Sequence, residues 1–216
     1  MPRRGTTLPK QIIPIETGLK LFCQWKEAPC PQLAGLSPIS LFKGPFIDID
    51  RVWFIGSCAW MPLVTGKKFD DKTDIDICFA DKDQALAFRD HAVEALTSAS
   101  AVLRVVEGLE CNRFGGPKLF WTKPRKKPHA PEEIEEREFM DIMWPPPGRT
   151  IAEVISGFLD AHEKVSVTAS AQPGDINAVV RLTYEWVHNI HNADHRKECH
   201  ACNVGHAQSV RYNDGS

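Results

Sequence analysis

TDIDICFA, residues 73–80, is the stretch whose reading decides the fold. Asp74 and Asp76 are two residues apart, so in an extended strand their side chains share one face, while Ile75 and Ile77 point to the other and into a core. Two adjacent carboxylates repel, and partial burial raises that cost. A strand that only had to pack would rarely carry them. A divalent cation removes the repulsion, because Mg²⁺ takes hard oxygen ligands from one or two carboxylates together with phosphate oxygens and water.

A third carboxylate, Asp141, lies in another apolar run, EFMDIMW (138–144), between Phe139-Met140 and Ile142-Met143. If the two strands are neighbours, the three acids converge, as two-metal phosphoryl transfer requires. Upstream, RVWFIGS (51–57) reads as a buried strand ending in the turn Gly56-Ser57. A glycine there lets backbone approach a phosphate, and a helix beginning at Ser57 would favour negative charge. Gly-Ser or Asp-x-Asp alone is common in turns and at solvated edges. Their order, together with the third acid, makes the pattern informative.

The rest of the chain reads as mixed α/β. A proline-rich segment, 1–50, holds one short helix near 15–27, where Leu19, Phe22 and Trp25 recur at helical spacing, and is otherwise ordered loop. DQALAFRDHAVEALTSA (83–99) is an amphipathic helix with Ala85, Phe88, Ala92 and Leu96 on one face and Asp83 as its cap. AVLRVVEG (101–108) and KLFWT (118–122) read as strands, and Pro145-Pro146-Pro147 ends the strand of Asp141. Two helices follow, at about 150–163 and 175–192, the second started by Asp175. The expected organisation is an N-terminal segment (1–50), a core (51–145), and C-terminal helices with a tail (146–216). Strands and helices in this order need a sheet with helices on at least one face.

Composition limits the function classes. The 216 residues are 43% hydrophobic and 25% charged, which suits a globular chain with a real core. The net charge of −2 predicts no overall pull toward nucleic acid or membrane. The start MPRRGTTLPKQIIP has no apolar run long enough for a signal peptide, and no stretch approaches a membrane span, so the chain reads as intracellular and cytoplasmic. Seven cysteines, an odd number and mostly scattered, do not form a disulfide framework, and Cys58 and Cys78 read as buried free thiols.

FIGS … TDIDICF … FMDIMW, over roughly residues 50–144, resembles the nucleotidyltransferase superfamily that includes DNA polymerase beta, antibiotic nucleotidyltransferases and toxin-type nucleotidyltransferases. That resemblance implies an α/β (α+β) fold with a nucleotidyltransferase-type mixed sheet and flanking helices. It implies that Gly56 and Ser57 contact the phosphates of an NTP such as ATP, that Asp74 and Asp76 hold Mg²⁺ or Mn²⁺, and that Asp141 shares the metals and helps activate an acceptor hydroxyl. The acceptor would be an RNA end, a protein or a small molecule, with pyrophosphate released. Two departures stand out. The stretch from Ser57 to Asp74 is longer than in compact members, and it contains Pro62, which a helix starting at Ser57 would not easily accommodate. Lys67 and Lys68 in this stretch could neutralise a triphosphate or lie in a solvated loop.

Other readings stay open. Lys123, Arg125, Lys126 and Lys127 could grip a polyanion, but a solvated hairpin tip neutralised by Glu132, Glu133, Glu135 and Glu136 is the simpler expectation. Five of the eight histidines, His188, His191, His195, His200 and His206, surround Cys199-x-x-Cys202. His191, His195, Cys199 and Cys202 have the spacing of a closed tetrahedral Zn²⁺ site, with His206 a rival ligand, His200 a weaker one, and a plain polar terminus the bland alternative. Beside an active nucleotidyltransferase stand a non-catalytic nucleotide- or nucleic-acid-binding module of the same fold and a zinc-stabilised nucleic-acid adaptor. A phosphocholine-transferring enzyme is a further alternative, whose aromatic-acidic lead-in is only partly echoed by Lys68-Phe69-Asp70-Asp71.

Overall fold

The computed structural model describes residues 13–43, 47–67, 73–99, 102–107, 116–125, 133–156 and 165–179. A six-stranded mixed sheet organises them, in the order β3-β4-β5-β2-β1-β6. Its strands are β1 (Val52–Ile55), β2 (Ile75–Phe79), β3 (Leu103–Val106), β4 (Lys118–Arg125), β5 (Glu133–Met143) and β6 (Ser166–Thr168). β2 and β5 are parallel, and every other neighbouring pair is antiparallel. Mixed α/β architecture is thus what the sequence leads one to expect.

The two faces of this sheet differ in kind. Phe54, Ile75, Ile77, Phe79, Met140, Ile142 and Val167 bury into the main core. That core is covered by α1 (Ile15–Glu27) and α3 (Lys82–Ser98), which present Leu19 and Phe22, and Ala85, Phe88, Ala92 and Leu96. Aromatic rings tie the layers together. Phe22 meets Phe54 edge-on at 5.5 Å, and Phe79 lies 5.0 Å from Phe88. The opposite face carries Trp53, Ile55, Cys78 and Met143 with Ile151 of the short helix α4 (Ile151–Ser156), a second and much smaller apolar cluster.

α1 docks on residues 61–65 at a distance only glycine permits, since a Cβ at Gly18 would stand 2.1 Å from the Leu63 carbonyl oxygen. At the end of α1, Lys26 is almost fully buried. Its ammonium donates to the Ala169 and Ala171 carbonyls at 2.7 and 2.5 Å, tying the helix to the turn after β6. Lysine is rarely buried without such partners. Burial pushes its pKa down.

Several local expectations are corrected. The cap of α3 is Asp81, whose carboxylate accepts from the Gln84 N–H at 2.9 Å, rather than Asp83, which falls inside the first turn. The basic run after residue 122 continues β4, so Lys123 stands opposite Glu135 and Arg125 opposite Glu133 in the ladder. Lys126, Lys127 and Glu132, where the hairpin tip is expected, lie outside the described residues. The helix expected from Asp175 does not begin at that point. Ile176–Ala178 form a single 3-10 turn and Val179 bridges Val167 beside β6, which holds its backbone extended, while 180–192 lie outside the described residues. Of the helix expected at 150–163, residues 151–156 are helical and 157–163 lie outside the described residues. The loop expected within 1–50 contains 3-10 turns at Pro31–Leu33, Pro38–Phe42 and Ile49–Arg51. Among the described residues no helix is long and apolar enough to cross a membrane.

Candidate functional site

The parallel pairing of β2 with β5 sets Asp76 directly beside Asp141. Residues opposite one another in a ladder point to the same face. The same row runs on through Ile55 to Ser166 on one side and to Lys118 on the other. Lys118, Asp141, Asp76, Ile55 and Ser166 therefore line one face across five strands, the face away from the main core. Asp74, two residues before Asp76, precedes β2 on that same side and is partly exposed. Asp141 is buried.

Gly56 explains why this spot is closed to other residues. Its φ is +62°, in the left-handed region, and a Cβ there would stand 2.1 Å from Asp76 Oδ2. The carboxylate and the turn thus touch. From Gly56 the chain enters α2 (Gly56–Trp60), which Cys58 fastens by donating its thiol to the Ile55 carbonyl at 2.9 Å and the Asp76 carbonyl at 3.5 Å. Burial above all, with Asp76 next, pushes the Cys58 thiol well up, which fits an inert structural role. Cys78, also buried, is pushed up to about 12 by burial. Both are free thiols, as the sequence implies. Pro62 is accommodated after all. The helix widens into a π turn over Met61–Thr65, which tolerates the missing N–H, and Gly66 ends it in a left-handed conformation.

Two charged residues complete the site, and neither was evident in the sequence. Lys118 Nζ lies 3.1 Å from Asp141 Oδ2 and also pairs with Glu138. In a regular strand Glu138 and Asp141, three apart, would face opposite ways. A register shift between β4 and β5 at Leu119/Phe120 changes that parity. Phe139 and Met140 consequently both enter the main core, and Glu138 joins Asp141 on the acidic face. Such bulges re-aim side chains at functional sites. The alternation Glu-Phe-Met-Asp, with two consecutive core residues, is the signal that could have revealed it.

The electrostatics follow from this crowding. Burial first, then the charges of Asp74 and Asp141, push the Asp76 carboxyl well above its usual range, and Glu138 adds to this while Lys118 opposes it. Burial works against the Lys118 ammonium, but its contacts with Glu138 and Asp141 prevail and raise its pKa. An all-oxygen donor set whose members repel one another fits hard divalent cations such as Mg²⁺. Among the described residues, no group of three or more His, Cys, Asp or Glu side chains meets the geometry of a metal site as it stands. Lys118 already occupies one oxygen of Asp141.

The remaining candidates fall apart from this row. Ser57 is partly buried in the first turn of α2. Lys67 is exposed, and its backbone N–H bonds Thr65 Oγ1 at 3.1 Å. Lys68, the lead-in Phe69-Asp70-Asp71, and the tail residues His191, His195, Cys199, Cys202, His200 and His206 lie outside the described residues. Ser166 was not anticipated. Its hydroxyl is fully buried and has no hydrogen-bond partner among the described residues. Compared with models of known protein families and with curated proteins, the chain matches none.

Two outcomes follow from this geometry. The raised Asp76 pKa means that, as pH rises, the unfolded chain gives up this proton before the folded one does. Stability contributed by the protonated group is therefore full below the ordinary carboxyl value, about 3.9, and is lost as pH climbs through the raised one. With metal chelated, Asp76→Asn should flatten that decline and exceed the parent in urea midpoint at neutral pH. A difference between parent and Asp76→Asn that moves in the parent's favour over the same range would contradict the crowding. Gly56→Ala should cost about 1–3 kcal/mol in the same measurement, from left-handed strain and the collision with Asp76. An unchanged midpoint would mean that the turn and the carboxylate are not in contact.

Proposed function

We propose that the chain is a metal-dependent nucleotidyltransferase that moves a nucleoside monophosphate from an NTP to an acceptor hydroxyl and releases pyrophosphate. The observation that carries this is the in-register pair Asp76–Asp141, with the left-handed Gly56 turn pressed against Asp76. Asp76 and Asp141 share a face, and Gly56 has a physical reason to be glycine, which supports reading the three positions together. The nucleotidyltransferase fold itself is part of the proposal.

In this reading Asp74, Asp76 and Asp141 would hold Mg²⁺ or Mn²⁺, which would neutralise the triphosphate and ease ionisation of the acceptor hydroxyl. The chain's own residues do the positioning. Gly56 leaves room for the Asp76 carboxylate at the turn, and Ser57 would offer a hydroxyl and a backbone N–H to the phosphates. Lys67 would serve the outer phosphates, with Lys68 beside it in sequence. Asp141 accepts the hydroxyl proton. Asp76 keeps reacting groups in line through its fixed place in β2, because this chemistry depends chiefly on alignment and charge. The non-catalytic alternative, a nucleotide-binding module of the same fold, draws on the Lys118–Asp141 ion pair, which holds one acid without metal.

One assay separates the two. Incubation with each α-labelled NTP, Mg²⁺ or Mn²⁺, and cellular RNA, protein and metabolites should transfer label to an acceptor. Asp76→Asn and Asp141→Asn should each reduce transfer to the level without enzyme. Nucleotide binding with no transfer to any acceptor would instead support the module.

For the tail, we propose a structural Zn²⁺ held by Cys199, Cys202, His191 and His195. After Ile190 the sequence has almost no apolar residues to form a core, and metal binding would supply folding energy. Four protein ligands leave no open position for water. Elemental analysis of protein purified without added metal should give one zinc per chain. Zinc near zero, with both cysteines freely alkylated in the native state, would reduce the tail to a polar terminus.

A further inference from the structure

Lys118 stands where a cation belongs. It is on the same row as the two central acids, its ammonium 3.1 Å from Asp141 Oδ2, and it also pairs with Glu138. The side chains of Lys118 and Asp141 are only 16% and 10% exposed, so water screens this pair far less than it would a surface bridge. The β-bulge that turns Glu138 toward this face gives Lys118 a second carboxylate. An ammonium with one acid partner would be pinned there. One with two can leave the first without losing all compensation for its charge.

We propose that Lys118 is a built-in cation gate: it occupies the Asp141 oxygen that a divalent ion needs, and Glu138 is the seat to which it withdraws when the ion enters. This rests on the metal-dependent reading above and adds a regulation of the same site. Lys118 and Glu138 are positioning residues, acting through Asp141. The gate makes free divalent ions poor ligands of the empty site. A triphosphate arriving with the ions offers the Lys118 ammonium another anionic partner, so Lys118 leaves Asp141 more readily. Asp141 is thereby kept paired between turnovers rather than left as a buried, uncompensated charge.

Calorimetric titration of the full chain with Mn²⁺ alone, without nucleotide, tests this apart from activity. Lys118→Met removes the competing charge and should tighten Mn²⁺ binding by about tenfold, whereas the charge-retaining Lys118→Arg should not tighten it. Glu138→Gln removes the second seat and should weaken binding severalfold. In the double variant Lys118→Met/Glu138→Gln the effect of the Glu138 change should largely vanish, since no ammonium remains to be seated. Simple nearby charges would give additive changes instead, and the double-variant cycle reads the difference. Additive effects, or Lys118→Met binding within about twofold of the parent, would overturn the gate. If Mn²⁺ then still binds and is lost in Asp76→Asn, the metal-site reading survives. Absence of Mn²⁺ binding in every variant would overturn both.

Discussion

Like-charge repulsion between Asp76 and Asp141 is the constraint around which the described structure is arranged. The two acids are neighbours because β2 and β5 run parallel and pair in register, so the backbone itself sets them side by side. A sheet that needed only to fold would place apolar residues at such central positions. This one keeps the carboxylates and surrounds them with partial remedies. Asp76 holds its proton more tightly than an ordinary carboxyl, and Lys118 compensates Asp141. Gly56 supplies the space in which the Asp76 carboxylate sits.

The main core is what makes that arrangement affordable in stability. A cluster of aromatic rings lies on the other face, where α1, α3 and the 3-10 turn Pro38–Phe42 bury Phe22, Phe42, Phe54, Phe79 and Phe88 against one another. Apolar burial of that kind is the dominant favourable contribution to folding. The N-terminal segment therefore has a structural part in the site although it contributes no acid to it. Gly18 and Lys26 are two of its points of attachment, one by steric fit and one by hydrogen bonds.

Much of this was legible in the sequence, for physical reasons that also explain the gaps. The period-two pattern of TDIDICFA fixes which residues of β2 face the core, and the helical spacing of Leu19 and Phe22, or of Ala85 through Leu96, fixes the buried faces of α1 and α3. Periodicity fails where the backbone is irregular. The bulge in β5 reverses the parity between Glu138 and Asp141, so Glu138 and its partner Lys118 passed unnoticed. β6 is only three residues long, too short for any period to register, yet it brings Ser166 beside Ile55. Pro62 argues against an α-helix there, and a π turn accommodates it. Asp83 is of a capping type, but Asp81 has the extended backbone and the bond to Gln84 that capping requires. The parallel sense of β2 and β5, which creates the site, follows from long-range pairing that local pattern does not encode.

The central claim is that Asp74, Asp76 and Asp141 together hold divalent metal, and it is tested most directly by anomalous diffraction from crystals grown with Mn²⁺ and a non-hydrolysable NTP analogue. Manganese density is expected between the carboxylates of Asp76 and Asp141, within reach of Asp74, with the phosphates against Gly56 and Ser57. Manganese bound elsewhere on the chain, or nucleotide seated away from this face with Lys118 still on Asp141, would contradict it.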